Sequence, residues 1–252
     1  MTSIITGQYK AYPLDSLEGL QLNGVLAKVD TLQGRKCLNL VSAPEVIESD
    51  GPTFAILEDS NFHNGIIEIS LAGTEPEDTA GKRFFGDFVG IAFRIQSDAS
   101  KVDPKLDPKI NPANVAQFEC LYFRPGHGFD EDQMARNRTI QYFAYQKYLF
   151  NNLRYEYLQQ EKLRQEQRQK KLQVTAFPKM YEAYAPIAPK EWFKMRAEII
   201  GTTAKLYVNG AAQPSLIVND LKLGDSKGPI GLFVERESVA YYADLKVTYY
   251  DD

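Results

Sequence analysis

The sequence predicts an all-β fold, a sandwich of two antiparallel sheets interrupted by one long inserted helix. Three observations carry that prediction. Short runs of alternating polarity, rich in Val, Ile, Phe and Tyr and closed by Gly, Asn or Pro, recur through both ends and most of the middle. The regular strand–helix alternation of a parallel sheet is absent. A single long segment, residues 147–172, holds helix-forming Gln, Glu, Lys, Arg and Leu with no Gly or Pro.

The elements follow in order. Residues 8–12, 24–29, 36–40 and 53–57 read as short strands, and Gly65-Ile66-Ile67-Glu68-Ile69-Ser70 as a longer one. Phe88-Val89-Gly90-Ile91-Ala92-Phe93-Arg94-Ile95 and Phe118-Glu119-Cys120-Leu121-Tyr122-Phe123 continue the pattern. Between them, residues 101–114 repeat Asp-Pro-Lys, and a proline every fourth residue excludes helix and central strand alike. Residues 126–136 form a polar, acidic loop holding His127, and residues 138–145 a further strand. After the helix, strands are expected at residues 192–199, 204–210 and 230–234. A chain of 252 residues fits one sandwich, with the helix inserted at 147–173.

Composition excludes several classes. Hydrophobic residues make up 44% and charged residues 25%, as expected for a globular chain with a sizeable core. A net charge of -4 gives no bulk attraction to nucleic acid, and no apolar run is long enough for a membrane span. The N-terminus lacks the basic start and apolar stretch of a signal peptide, which suits a cytoplasmic protein, or a secreted or periplasmic one whose leader has been removed. Cys37 and Cys120 are too few for a disulfide framework and are expected to be free and buried. His63 and His127 are the two histidines, and without a Cys-x-x-Cys pair they give no zinc site. Dinucleotide, P-loop and serine-hydrolase motifs are also missing, so no cofactor is expected. Calcium is left open at Asp130, Glu131 and Asp132, although their spacing is not that of an EF-hand.

Strand faces supply the candidate site. Val89, Ile91, Phe93 and Ile95 share one face, leaving Gly90, Ala92 and Arg94 on the other. Cys120, Tyr122 and Arg124 oppose Leu121 and Phe123, Gln141 opposes Ile140 and Tyr142, and Glu68 shares a face with Ser70. If these strands are neighbours in one sheet, Glu68, Arg94, Tyr122, Arg124 and Gln141 line one concave surface with His127 near its rim. Charged groups and Tyr suit a sugar: ionised groups make strong hydrogen bonds to hydroxyls, Arg pairs with carboxylates, and aromatic rings cover apolar sugar faces. Two arginines also tolerate an acidic saccharide. The competing reading makes Glu68, Arg94 and Arg124 an ion network between strands. His127 alone reads as a surface-loop residue and Trp192 as a core anchor.

The order Asn64-Gly65-Ile66-Ile67-Glu68, Gly90-Ile91-Ala92-Phe93-Arg94, Glu119-Cys120-Leu121-Tyr122-Phe123-Arg124-Pro125 and Ile140-Gln141-Tyr142 resembles the concanavalin A-like lectin/glucanase superfamily. Glu191-Trp192-Phe193-Lys194-Met195-Arg196, Ala204-Lys205-Leu206-Tyr207-Val208-Asn209 and Gly228-Pro229-Ile230-Gly231-Leu232-Phe233 extend the resemblance. Within it the chain is most similar to laminin G-like domains and the 3-keto-disaccharide hydrolase domain group, over roughly residues 50–145 and 176–250. The resemblance implies a jelly roll and a saccharide ligand. Family 16 glycoside hydrolases of this superfamily carry Glu-x-Asp-x-x-Glu on one strand. The nearest strand here offers Glu68 and Ser70 without a third carboxylate, which argues against that mechanism.

The expected function is therefore a carbohydrate-binding, lectin-like module. One alternative is a glycan-cleaving hydrolase using Glu68 with His127 or Glu119. Another is an interaction scaffold, in which residues 147–172 dock a protein partner or a second copy of the chain. Residues 147–171 hold seven Lys or Arg against three Glu, a local positive balance suited to an acidic partner.

Overall fold

The computed structural model describes residues 7–47, 49–76, 87–175 and 179–251. Its strands are β1 (Gly7–Tyr12), β2 (Leu20–Asn23), β3 (Val25–Leu32), β4 (Arg35–Ser42), β5 (Phe54–Leu57), β6 (Gly65–Thr74), β7 (Val89–Ser97), β8 (Val115–Phe123), β9 (Ile140–Tyr145), β10 (Glu182–Ala183), β11 (Phe193–Ile200), β12 (Thr203–Val208), β13 (Leu216–Val218), β14 (Gly231–Val234) and β15 (Val239–Tyr250). The helices are a single turn, α1 (Gln133–Arg136), and α2 (Phe150–Gln169).

Two antiparallel sheets face each other, as the alternation predicts. One runs β13-β12-β11-β6-β15-β4-β3, with β1 paired to the second half of β15; the other runs β10-β9-β8-β7-β14-β5-β2. Leu38, Leu40, Ile67, Ile69, Leu71, Phe193 and Val247 from the first pack against Ile91, Phe93, Leu121, Phe123, Tyr142 and Leu232 from the second. The sheets differ in their outer faces. On β11 buried and open positions alternate, as in a sheet with one wet face, whereas β5, β9 and β14 are buried at every position. Cys37 and Cys120 are free and buried, on different sheets.

The longest strand, β15, was not among the sequence runs. Its register shifts between Ala243 and Lys246, where Asp244 has a φ of 52°, and this bulge breaks the period-2 pattern. The residues 101–114 segment is built of turns, two of them closed by Asp103 and Asp107 side chains accepting from the Lys105 and Lys109 amides. Trp192 is only half-buried; it anchors by donating to the Leu32 carbonyl, with Arg35 lying 4.6 Å from its ring.

Helix α2 is two things in sequence. Its first turn is packed: Phe150 and Leu153 are buried, and Asp50 from a distant loop accepts the Phe150 amide at 3.0 Å, supplying a cap that Leu149 cannot. Beyond Leu153 the helix is solvated, with Tyr155, Leu158 and Leu163 exposed. At 1.5 Å per residue the whole helix is about 30 Å long, so most of it lies beyond its packed turn. Replacing residues 156–174 by a short Gly/Ser linker should leave the melting temperature within a few degrees of wild type. Leu153→Ala should instead cost about 2–5 kcal/mol. Thermal melts followed by circular dichroism check both, and an insoluble linker variant would show that the outer helix is integral.

Candidate functional site

Outward-facing side chains of the seven-stranded sheet form a second apolar cluster of Phe54, Ile56, Ala92, Ile95, Phe118, Cys120, Tyr122, Phe143, Tyr145 and Phe233, joined by Phe150 of α2. Phe118 stacks on Tyr145 at 5.2 Å and meets Phe54 edge-on at 5.0 Å, and Tyr122 meets Phe143 edge-on at 5.7 Å. This cluster fills the space over the small residues Gly90 and Ala92. A Cβ at Gly90 would lie 2.6 Å from Tyr122 Cβ.

The cluster stops at one end of the sheet, and there a pocket of about 440 Å³ opens. Its floor is Tyr122 and Gln141, directly opposite each other on β8 and β9. Around them stand Phe88, Arg124, Arg138, Phe150 and Arg154, with Asp50, Glu235 and Arg236 on the far wall. Arg124 and Arg138 flank the β8–β9 connection, where the Arg124 amide donates to the Thr139 carbonyl at 2.8 Å. The Arg124 guanidinium lies 4.6 Å over the Phe88 ring, a cation–π contact. Arg154, on α2, pairs with both oxygens of Glu182 at 3.1 and 3.2 Å.

Gln141 is the anomaly. Its side chain is fully buried, yet neither its amide nitrogen nor its oxygen has a hydrogen-bond partner among the described residues. Native structures rarely leave such groups unmade, so a buried amide lining a pocket points to an absent partner.

The pocket's carboxyls are committed elsewhere. Glu235 accepts the Asp50 amide at 2.7 Å and the Arg236 amide at 2.9 Å, and Asp50 caps α2. Burial pushes Asp50 up to about 6 and Glu235 up to about 8. Asp87, which accepts the Gly126 amide, is likewise raised by burial to about 6.

Of the sequence candidates, Tyr122, Arg124 and Gln141 come together here. Glu68 does not: β6 belongs to the other sheet, where Glu68 is exposed opposite Arg196 and Lys246 and lines a separate groove. Arg94 does not either. It sits at a bulge in β7 with a φ of 53°, so the alternation slips: Phe93 faces the inner core and Ile95 the outer cluster. The Arg94 side chain, 0% exposed, donates to the His63 carbonyl at 2.8 Å and the Gly224 carbonyl at 3.0 Å, and lies 3.5 Å from Asp225. The ion-network reading thus describes Arg94, with Asp225 and loop carbonyls as partners in place of Glu68. Glu119, also 0% exposed, accepts from the Tyr142 hydroxyl and from the Leu223 amide at 2.9 Å within the inner core.

His127 is not a surface-loop residue. It is buried in a short 3-10 turn and lies outside the pocket lining, and burial with nearby Arg124 lowers it to about 4, so it is neutral at pH 7. The acid–base pairing of Glu68 with His127 or Glu119 is therefore not assembled. Asp132 caps α1 through the Met134 amide, and Asp130 accepts the Asp132 amide. Among the described residues no group of three or more His, Cys, Asp or Glu is placed to hold a metal ion. No helix among them is long and apolar enough to cross a membrane.

Sequence reading missed Arg138, Arg154, Phe88, Asp50 and Glu235. Arg138 had a signal, since it precedes β9 just as Arg124 follows β8. Asp50, Arg154 and Glu235 reach the pocket through tertiary packing of separate segments, for which a single sequence carries no local mark.

Comparison with known proteins bears on the fold. No family model and no curated protein matches the chain. Solved structures do. A protein of unknown function with a galectin-like fold from Bacillus subtilis aligns at a TM-score of 0.53 and 14% identity, over 97% of this chain and 99% of that one. A prokaryotic β-1,3-1,4-glucanase (lichenase) derived from a mouse hindgut metagenome aligns at 0.50 and 10% identity, over 96% of this chain and 99% of that one. The fold is a two-sheet jelly roll of the galectin-like kind. At such identities the likeness extends to the fold and no further.

Two stability outcomes follow from this polar architecture. Arg94→Ala should destabilise by about 2–5 kcal/mol, because it empties the space of a fully buried side chain and leaves the half-buried His63 and Gly224 carbonyls without their donor; urea melts showing less than about 1 kcal/mol would refute the network. The second concerns pH. Asp50, Asp87 and Glu235 hold their protons more tightly folded than unfolded, so their contribution is full below about pH 4. It is lost as pH rises through about 6 and then about 8. The melting temperature should fall between pH 5 and pH 8, and the fall above pH 6 should flatten in Glu235→Gln. A wild-type melting temperature that rises over this range would contradict the assignment.

Proposed function

We propose that the protein is a carbohydrate-binding, lectin-like module whose saccharide occupies the pocket over Tyr122 and Gln141. The observation that carries the reading is the Gln141 amide. A carboxamide offers two donors and an acceptor, matching sugar hydroxyls that both give and take hydrogen bonds. The Phe88 and Phe150 rings beside it supply apolar surface for a pyranose face, and the guanidinium groups supply charge-assisted donors. The jelly-roll fold shared with a glucanase is compatible with such a ligand.

A hydrolase is the second reading, and one observation favours it: Asp50 and Glu235 line the same pocket with raised pKa values. Glycosidases of the usual kind need two carboxyls free to exchange protons across the scissile bond. Here Asp50 caps a helix and both Glu235 oxygens hold backbone amides, so binding without cleavage is the stronger reading.

A glycan array followed by calorimetry on the hits tests the proposal. Gln141→Ala should weaken binding at least tenfold while leaving the melting temperature unchanged, since the amide makes no hydrogen bond to the protein that could be lost. Unchanged affinity in Gln141→Ala, or an empty array with wild-type protein, would overturn the site. Product release from a bound oligosaccharide, abolished by Asp50→Asn, would move the assignment to the hydrolase.

A further inference from the structure

The charge of the pocket narrows its ligand, an argument that rests on the saccharide reading above. Four guanidinium groups, Arg124, Arg138, Arg154 and Arg236, line it against the carboxyls Asp50, Glu235 and Glu237. Arg124 feels the charges of Asp50 and Asp87, and Arg236 that of Glu235. Asp50 and Glu235 turn their oxygens to backbone amides, and Glu237 is exposed at the mouth. Arg154 is matched by Glu182, and Arg236 donates to the Ile47 carbonyl at 3.1 Å.

Arg138 is the charge left over. Its guanidinium has no ion pair or hydrogen bond among the described residues, and its Nε is buried. Arg138 and Arg124 stand on the two sides of one strand connection, Arg124 lying over the Phe88 ring, with the Gln141 amide, unpartnered among the described residues, on the floor between β8 and β9. Burying cationic and amide donors without an acceptor is costly, and an oxyanion answers both. The raised value of Glu235 keeps that carboxyl largely protonated near neutral pH, which reduces the negative charge that such an anion would meet.

We propose that the pocket selects an anionic saccharide, its carboxylate or sulfate group held by Arg124 and Arg138 and its neighbouring hydroxyl by the Gln141 amide. A neutral sugar leaves Arg138 without its acceptor. The selectivity comes from that unmet charge.

Calorimetry on the full chain with four defined probes tests this. They are trigalacturonate, its methyl-esterified neutral form, a kappa-carrageenan tetrasaccharide, which carries sulfate and no carboxylate, and cellotriose. One anionic probe should bind at least tenfold more tightly than the neutral probes, and which one identifies the anion as carboxylate or sulfate. Arg138→Gln should remove that preference, with Arg124→Lys as a second variant should Arg138→Gln melt early. Glu68→Gln, on the opposite sheet, should leave it intact. If neutral and anionic probes bind alike and Gln141→Ala weakens both, the anion assignment falls while the saccharide site stands. If the anionic preference survives both arginine variants, the assignment also falls. If no probe binds and a glycan array is empty, the saccharide reading falls with it.

Discussion

The constraint on which the rest of the structure depends is that the seven-stranded sheet is dry on both faces. Its inner face meets the other sheet, and its outer face carries Phe54, Phe118, Phe143, Tyr145 and Phe233 in mutual contact. Fully burying one aromatic side chain is worth roughly 1.5–3 kcal/mol, so leaving five of them wet is not an option for a stable fold. Cover must therefore come from outside the sheets. Phe88, Ala113, Leu149 and the first turn of α2 provide it. In jelly rolls whose concave face stays open, a ligand can lie along the sheet; here the available space is pushed to the one end where the aromatic cover stops.

That end and its opposite treat polar groups in contrary ways. Arg94, Glu119 and Tyr142 are as deeply buried as any residue in the molecule, but each donates or accepts within the core, tying the His63 segment and residues 222–225 to β7, β8 and β9. A fully satisfied buried network is structural, since all its hydrogen-bonding capacity is used to fix one packing. At the pocket, the Gln141 amide and Arg138 Nε are left unmatched among the described residues. The difference between these two sites lies in satisfaction and not in residue type, which is why Arg94 and Arg124 looked equivalent in one dimension and are not in three.

Legibility in the sequence follows the range of the forces involved. Period-2 runs report a local property, so β7, β8, β9, β11 and β12 stand at or near their expected positions, and Tyr122 and Gln141 are on the expected face. Bulges undo that local code: one at Arg94 turned a presumed cleft residue into a core hub, and one near Asp244 hid the longest strand. Sheet membership is a long-range property. Glu68 obeys the alternation on its own strand, yet nothing local says that β6 pairs with β11 and β15 instead of β7. The dry outer face was invisible for a related reason. Cys120, Tyr122 and Phe143 serve equally well as cleft lining or as a second core until the covering segments are placed.

Asp50 shows how the covering segments and the pocket are made from the same interactions. Its backbone takes a φ of 56°, a conformation few side chains tolerate, and two hydrogen bonds hold it there. Its amide donates to Glu235 after β14, its carboxylate caps α2, and both residues stand in the pocket wall. Removing the cap would loosen the first turn of α2, and with it Phe150 as cover for Tyr122 and Arg154 as pocket lining. The helix is thus coupled to the site through its first turn alone, while its solvated remainder can vary in length without disturbing the pocket. An insertion that begins as part of a pocket wall and ends in solvent needs one strong anchor at its base, and a carboxylate at a helix N-terminus, favoured by the helix dipole as well as by the hydrogen bond, is a physically economical way to make one.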